Sequence, residues 1–212
     1  MDINPIAISD GKAYALDAGI VLDRDVQDYS SPRSYPHLAI TPYPTGYIMP
    51  WTLPDGTEVL MRPIMPEDEP LEHEMLTTLS EQTLKERFFT VIEDITHEML
   101  IRFCNIDYER EMAIVTEIRE GNTRKIVGIG RLIVEPDFKS GQFAVLVHDS
   151  FQGKGLGFAL IDMMIGIAQE KGLDEIYGIV LSENERMLKI CRKLGFSRTL
   201  LPDGISRVTL RL

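Results

Sequence analysis

The chain has 212 residues, 44% of them hydrophobic, and carries 22 Lys and Arg against 33 Asp and Glu, a formal net charge of −11. That length holds one well-packed domain plus extra segments, and the acidic excess argues against nucleic acid and against an anionic membrane surface as partners. It suits a basic partner such as a lysine-bearing protein. No apolar run approaches the ~20 residues that span a bilayer, and the first residues lack the basic and apolar regions of a signal peptide. Two cysteines, Cys104 and Cys191, make no disulfide framework, so a reducing cytoplasm is the expected compartment. No metal is expected.

In chain order, Ile3 to Ile8 and Ala13 to Leu22 read as two short strands around the turn Ser9-Asp-Gly11, a hairpin that needs a partner surface. Six prolines between Pro32 and Pro54 make residues 25–57 read as an extended linker, and its tyrosines and Trp51 are frequent enough that some should pack on a domain surface. Glu58 to Ile64 is the predicted first strand of the main domain. Helices follow: one from Pro66 with acids in its first turn, one capped by Ser80, one capped by Thr96. Glu111 to Ile118, Lys125 to Val134 and Gln142 to Val147 read as antiparallel strands joined by short turns. Then comes Gln152-Gly-Lys-Gly-Leu-Gly-Phe158, a glycine-rich turn opening an apolar helix that runs to about Lys171. Glycines there uncover backbone N–H groups at the positive end of the helix dipole, which favours a phosphate or pyrophosphate. The spacing is neither the dinucleotide fingerprint nor a P-loop, because Lys154 is followed by Gly155. Asp174 to Leu181 should lie parallel to the central strand across that helix. Ser182 to Leu194 reads as a last helix, and a hairpin through Pro202-Asp-Gly204 closes the sheet.

The Gln-x-x-Gly-x-Gly stretch from Gln152 resembles the acyl-CoA motif of the GNAT N-acetyltransferases. The resemblance extends upstream to Leu60-Met-Arg-Pro-Ile64 and downstream to Asn184 and Lys193-Leu-Gly-Phe196, about 150 residues in all. Arg87-Phe88-Phe89 resembles a signature of the GNAT domain in protein acetyltransferases that carry a synthetase-like partner domain. Residues 1–24, with Asp2-Ile-Asn-Pro-Ile6 and Ala15-Leu-Asp-Ala-Gly-Ile-Val-Leu22, resemble the end of the ATP-grasp domain of NDP-forming acyl-CoA synthetases. That suggests a fragment of a longer protein; no ATP chemistry is assigned to it. The implied architecture is an α/β (α+β) GNAT fold over residues 58–212: a mixed, mostly antiparallel sheet of six to seven strands with about four helices.

The same resemblance implies a site. Acetyl-CoA, the co-substrate, would enter between two parting parallel strands. Its pantetheine arm would pair with Val145, Leu146 and Val147, and its pyrophosphate would sit on the turn through Gln152, Gly153, Lys154, Gly155, Leu156, Gly157 and Phe158. An N–H near Leu146 or Val147 would hold the thioester oxygen. Asn184 matches a residue that touches the pantetheine arm, though capping the last helix explains it equally well. The expected reaction is acetyl transfer to an amine, with a protein lysine as acceptor and an acyl-CoA synthetase as the acceptor the resemblance suggests. A lysine of pKa about 10.4 is neutral in only about 1 molecule in 2,500 at pH 7, a cost of roughly 4.6 kcal/mol that a general base would help recover. Here the chain departs from the family. Gln142 stands where related protein acetyltransferases often carry Glu, and Cys191 stands where many family members carry a tyrosine acid. Glu117, half-buried by the alternation of its strand, is the first substitute base, with Glu135, His148 and Asp149 behind it; the other reading of all four is plain solvent exposure, and Cys191 reads as either a proton donor or a small buried hydrophobe. Two readings therefore stay open: an active N-acetyltransferase, or a catalytically weak acyl-CoA-binding regulatory domain.

Overall fold

The computed structural model describes residues 42–212 apart from 91–93 and 122, and, before residue 42, the strand residues 2–3, 6–9, 12–15 and 18–19. The chain divides into two compact units, residues 1–37 and 38–212. In the first, Ile6–Ser9 pairs antiparallel with Lys12–Ala15, and Asp2–Ile3 with Ala18–Gly19, so the expected hairpin forms as two short paired segments. The turn at Asp10-Gly11 and residues 20–22 lie outside the described residues.

The second unit is built on one eight-stranded sheet. Its strands are β1 (Met49–Thr52), β2 (Glu58–Pro63), β3 (Glu111–Glu120), β4 (Thr123–Val134), β5 (Ser140–Val147), β6 (Glu175–Leu181), β7 (Ser197–Leu201) and β8 (Ile205–Arg211). The spatial order is β7-β8-β6-β5-β4-β3-β2-β1, antiparallel throughout except for β5 beside β6. That exception follows from the crossover helix between them. The sheet has one strand more than expected because β1, inside the segment read as linker, pairs with β2 through the turn at Asp55-Gly56. Gly56 has φ +87° and the Thr57 amide donates to the Asp55 carboxylate at 3.0 Å. Prolines at 50 and 54 are compatible with this strand because it lies at the sheet edge.

Among the described residues five α-helices flank the sheet: α1 (Glu69–Thr77), α2 (Glu81–Phe88), α3 (His97–Cys104), α4 (Leu156–Glu170) and α5 (Glu185–Lys193). The expected caps at Ser80 and Thr96 accept from Thr83 N and Met99 N. The helix expected from Pro66 begins as a 3₁₀ turn and becomes α-helical only at Glu69. α5 starts at Glu185, not Ser182, because Asn184 is its cap. Two apolar clusters sandwich the sheet. Met75, Leu76 and Leu100 from α1 and α3 meet Val115, Ile129 and Leu146 on one face. Leu156, Leu160, Met164 and Ile167 of α4 meet Ile114, Leu132 and Phe143 on the other, and α5 joins through Leu188 and Cys191. Gly128 and Gly130 let α4 approach: a Cβ on Gly128 would lie 2.8 Å from Leu156 Cδ2. β4 has no side chain where α4 presses closest.

Candidate active site

The two parallel strands part. β5 and β6 are in register only at Ser140–Glu175, Gly141–Ile176 and Gln142–Tyr177. Beyond Gln142, β5 pairs only with β4 and β6 only with β8. Phe143, the first residue of β5 beyond its pairing with β6, lays its ring over Gly178, where an added Cβ would fall 2.6 Å from the ring. Ladder alternation then decides which backbone groups face the gap. The His148 amide donates to Val127 O on β4 at 3.0 Å, so the amide of Leu146, two residues back, points the same way. Those of Val145 and Val147 point into the gap. Gln152 Nε2 reaches the Val147 carbonyl at 3.2 Å from that side.

At the open end the chain turns into α4. Gly153 has φ +77° and Gly155 φ +87°, left-handed conformations in which side chains other than glycine are strained. Gly155 is the N-cap and no side chain caps the helix. The first-turn amides of a 15-residue helix thus open on the gap, with the dipole's positive end behind them. The resulting cleft encloses about 580 Å³, within the range of small-molecule sites. Its charged lining is Arg87, Arg186 and Lys193 against Glu86. Three cations to one carboxylate give this cleft a local positive charge in a chain of net charge −11.

Most residues expected at the ligand line this cleft: Val145, Leu146, Val147, Gln152, Gly153, Gly155, Gly157, Phe158 and Asn184. Lys154 and Leu156 contribute no side chain to it. Lys154 pairs with Asp55 at 2.9 Å, and Leu156 is buried against β4. Asn184 is the cap of α5, its Oδ1 accepting from Met187 N at 3.0 Å, and it also lines the cleft, where its Nδ2 donates to Glu86 at 2.9 Å. Gln152 ties the turn together, donating to Thr83 Oγ1 at 3.0 Å and accepting from Arg186 at 2.9 Å.

The expected catalytic side chains lie elsewhere. Glu117 is buried on β3, two strands (about 10 Å) from β5, and accepts from Arg62 Nε and Nη2 at 3.2 and 2.9 Å. Arg62 also grips Asp68 through both oxygens, at 2.6 and 2.7 Å. Burial works against the Arg62 guanidinium, but its bonds to Asp68 and Glu117 outweigh that and raise its pKa. The half-buried, free carboxylate expected at 117 is instead the anion of a structural ion cluster. Cys191 is 1% exposed in the core beneath α5, where burial pushes its thiol up to about 11. It is the buried small hydrophobe of the two readings. Gln142 sits on the last paired rung of the parting strands, four residues or about 13 Å from Leu146. Glu135 accepts from the Tyr177 hydroxyl. The Asp149 carboxylate is held by the Ser80 amide and hydroxyl and by Thr83, at 2.6–2.9 Å.

Sequence reasoning missed one wall. Thr83, Glu86 and Arg87 of α2, and Trp51 and Pro54 around the β1–β2 turn, all line the cleft. Polar residues at 83, 86 and 87 repeat at helical spacing beside a motif of known kind, a signal that would have found α2. Nothing local marks Trp51, because its place depends on a strand pairing.

A mixed sheet whose parallel strands part over an uncapped helix N-terminus defines the class: an acyl-transferase fold with a cleft for a phosphate-bearing ligand. The model of the acetyltransferase (GNAT) family matches residues 74–196, and the chain belongs to that family. It is 32% identical over 161 residues to an acetyltransferase of Pseudomonas aeruginosa, covering 76% of this chain and 87% of that protein. Its fold superposes on the GNAT domain of S. lividans PAT with a TM-score of 0.73 at 22% identity, over 80% of this chain and 99% of that one. A second similar structure is yncA of Salmonella typhimurium, described as a putative acetyltransferase with its cofactor acetyl-CoA: TM-score 0.58, 20% identity, 73% of this chain and 94% of that one.

Proposed function

We propose that this GNAT acetyltransferase takes its acetyl group from acetyl-CoA and passes it to the amine of a protein lysine in the cytoplasm. The parting of β5 and β6 over the glycine turn carries this reading. The pyrophosphate would rest on the amides from Gly153 to Phe158, and the pantetheine arm would add as a strand to the exposed edges of Val145 and Val147. One of those two amides, rather than that of Leu146, would donate to the thioester oxygen. Glu86 is the carboxylate on the cleft wall among the described residues and is our candidate for receiving the amine's proton. The acceptor class rests on Arg87-Phe88-Phe89 and on the synthetase-like wording of residues 1–24, which together favour an acyl-CoA synthetase.

Gly155→Glu tests the cleft, because it sets a strained side chain and a negative charge against the pyrophosphate. Calorimetry should show acetyl-CoA binding lost while the circular dichroism spectrum is kept; equal affinity would sink the reading. The rival, a regulatory acyl-CoA-binding domain, is favoured by Gln142, which cannot take a proton, and by the burial of Cys191. Incubation with radiolabelled acetyl-CoA and candidate acceptor proteins separates the two, since only an enzyme leaves label on lysine.

A further inference from the structure

Arg87, in the last turn of α2, is half-buried and places its guanidinium 5.0 Å from the ring centre of Phe88. Several of the charges around it are satisfied. Glu86 accepts from Gln82 and Asn184, and Arg186 donates to Gln152. Arg131 is paired with Glu111 and with the Phe103 carbonyl at 2.8 Å. Glu72 accepts from the Cys104 thiol at 3.1 Å. Arg87 is the exception: among the described residues its side chain makes no hydrogen bond and no ion pair. Burial, with the like charge of Arg131 beyond it, outweighs the attraction of the Glu72 and Glu111 carboxylates and lowers its pKa to about 10. It remains a cation at neutral pH with five donors and no acceptor, an arrangement that calls for an explanation.

Its position supplies one. Arg87 borders both the cleft and a smaller cavity of about 20 Å³ under α2, and Leu146 borders both as well. Leu146 lies between the two residues whose amides open on the gap. Arg87 therefore flanks the segment at which the thioester would be held. Negative charge arises there only during reaction. The amine nitrogen forms a bond to the carbonyl carbon, and the carbonyl π pair moves onto oxygen. The oxygen is anionic until the C–S bond breaks and coenzyme A leaves as thiolate, the ammonium proton passing to base or water.

We propose that Arg87 is a second donor to that oxygen, beside a β5 amide; this rests on the acyl-transfer reading above. Arg87→Met keeps much of the side chain's bulk, and Arg87→Lys keeps the charge without the fork. CoA release from acetyl-CoA would be followed with n-butylamine as acceptor, which carries no anion for Arg87 to hold. The expected result is a kcat lower by ~10²–10³-fold in Arg87→Met and by less in Arg87→Lys, with acetyl-CoA affinity changed far less than kcat. A second measurement needs no turnover. S-carboxymethyl-CoA places a carboxylate beside the sulfur, and S-carbamoylmethyl-CoA is its neutral isostere. Wild type should prefer the carboxylate by about tenfold, and Arg87→Met should not. A wild type that transfers to no amine, yet keeps an Arg87-dependent preference, removes the enzyme reading and leaves the anion site standing. An Arg87→Met protein with unchanged kcat and unchanged preference overturns the proposal. So does a loss confined to acceptors that carry a carboxylate, which would reassign Arg87 to acceptor recognition.

Discussion

A carboxylate's chemistry is set by what surrounds it, and two glutamates of this chain show how far that goes. Glu117 has the Arg62 guanidinium at 2.9 Å, with Arg124 and Arg119 at 3.6 and 3.8 Å, and is 3% exposed. Such an anion anchors structure. Removing one partner of a buried ion pair strands the other, at a cost of about 3–5 kcal/mol. Glu86, by contrast, lines the cleft with only amide donors on it. Glu86→Gln should slow transfer by ~10²–10⁴-fold at saturating acetyl-CoA with little change in urea midpoint. Glu117→Ala should lower the midpoint sharply while the folded protein binds acetyl-CoA as before. Opposite results, with rate lost at 117 and kept at 86, would restore the sequence's own first candidate.

At the scale of elements, the active cleft depends on how α2 is tied to the turn before α4. Asp149 makes that tie by accepting from Ser80 and Thr83 at the start of α2. Burial alone would raise its pKa, but the hydrogen bonds from Thr83 and Ser80 outweigh that and hold the carboxyl below its usual value. A group whose folded pKa is depressed stabilises the fold above its unfolded pKa, about 3.9, and loses that contribution as pH falls through the folded value. Hydrogen exchange at the start of α2, corrected for the intrinsic rate, should therefore rise relative to α4 below about pH 4. Asp149→Asn should show the looser α2 already at neutral pH, with little further response to acid. An α2 that stays as protected as α4 in the variant would mean that its packing, through Leu84 and Phe88, holds it unaided.

For the molecule as a whole, the boundary of the functional unit falls earlier than the prolines suggest. β1 covers the edge of β2, and Trp51 and Pro54 are part of the cleft. Deleting residues 1–37 should leave acetyl-CoA affinity and the urea midpoint nearly unchanged. Deleting residues 1–57 should lower both, because it bares a sheet edge and removes a wall of the site. Equal behaviour of the two truncations would show that β1 is dispensable.

Local sequence set the order of elements from β2 onward, the helix caps at Ser80 and Thr96, and the glycine turn from Gln152 to Phe158. These are local matters: a cap bonds three residues ahead, and a glycine turn needs its own φ angles. Tertiary structure decided what depends on residues far apart in the chain. Pairing with β2 turned a proline-rich segment into a strand. Arg62, 55 positions away, made Glu117 an anchor, and the core under α5 took Cys191 out of reach of the cleft. Arg87 is left with no hydrogen-bond or ion-pair partner among the described residues by the packing of α2 across β5, and no local pattern records which charges such packing pairs and which it leaves unpaired.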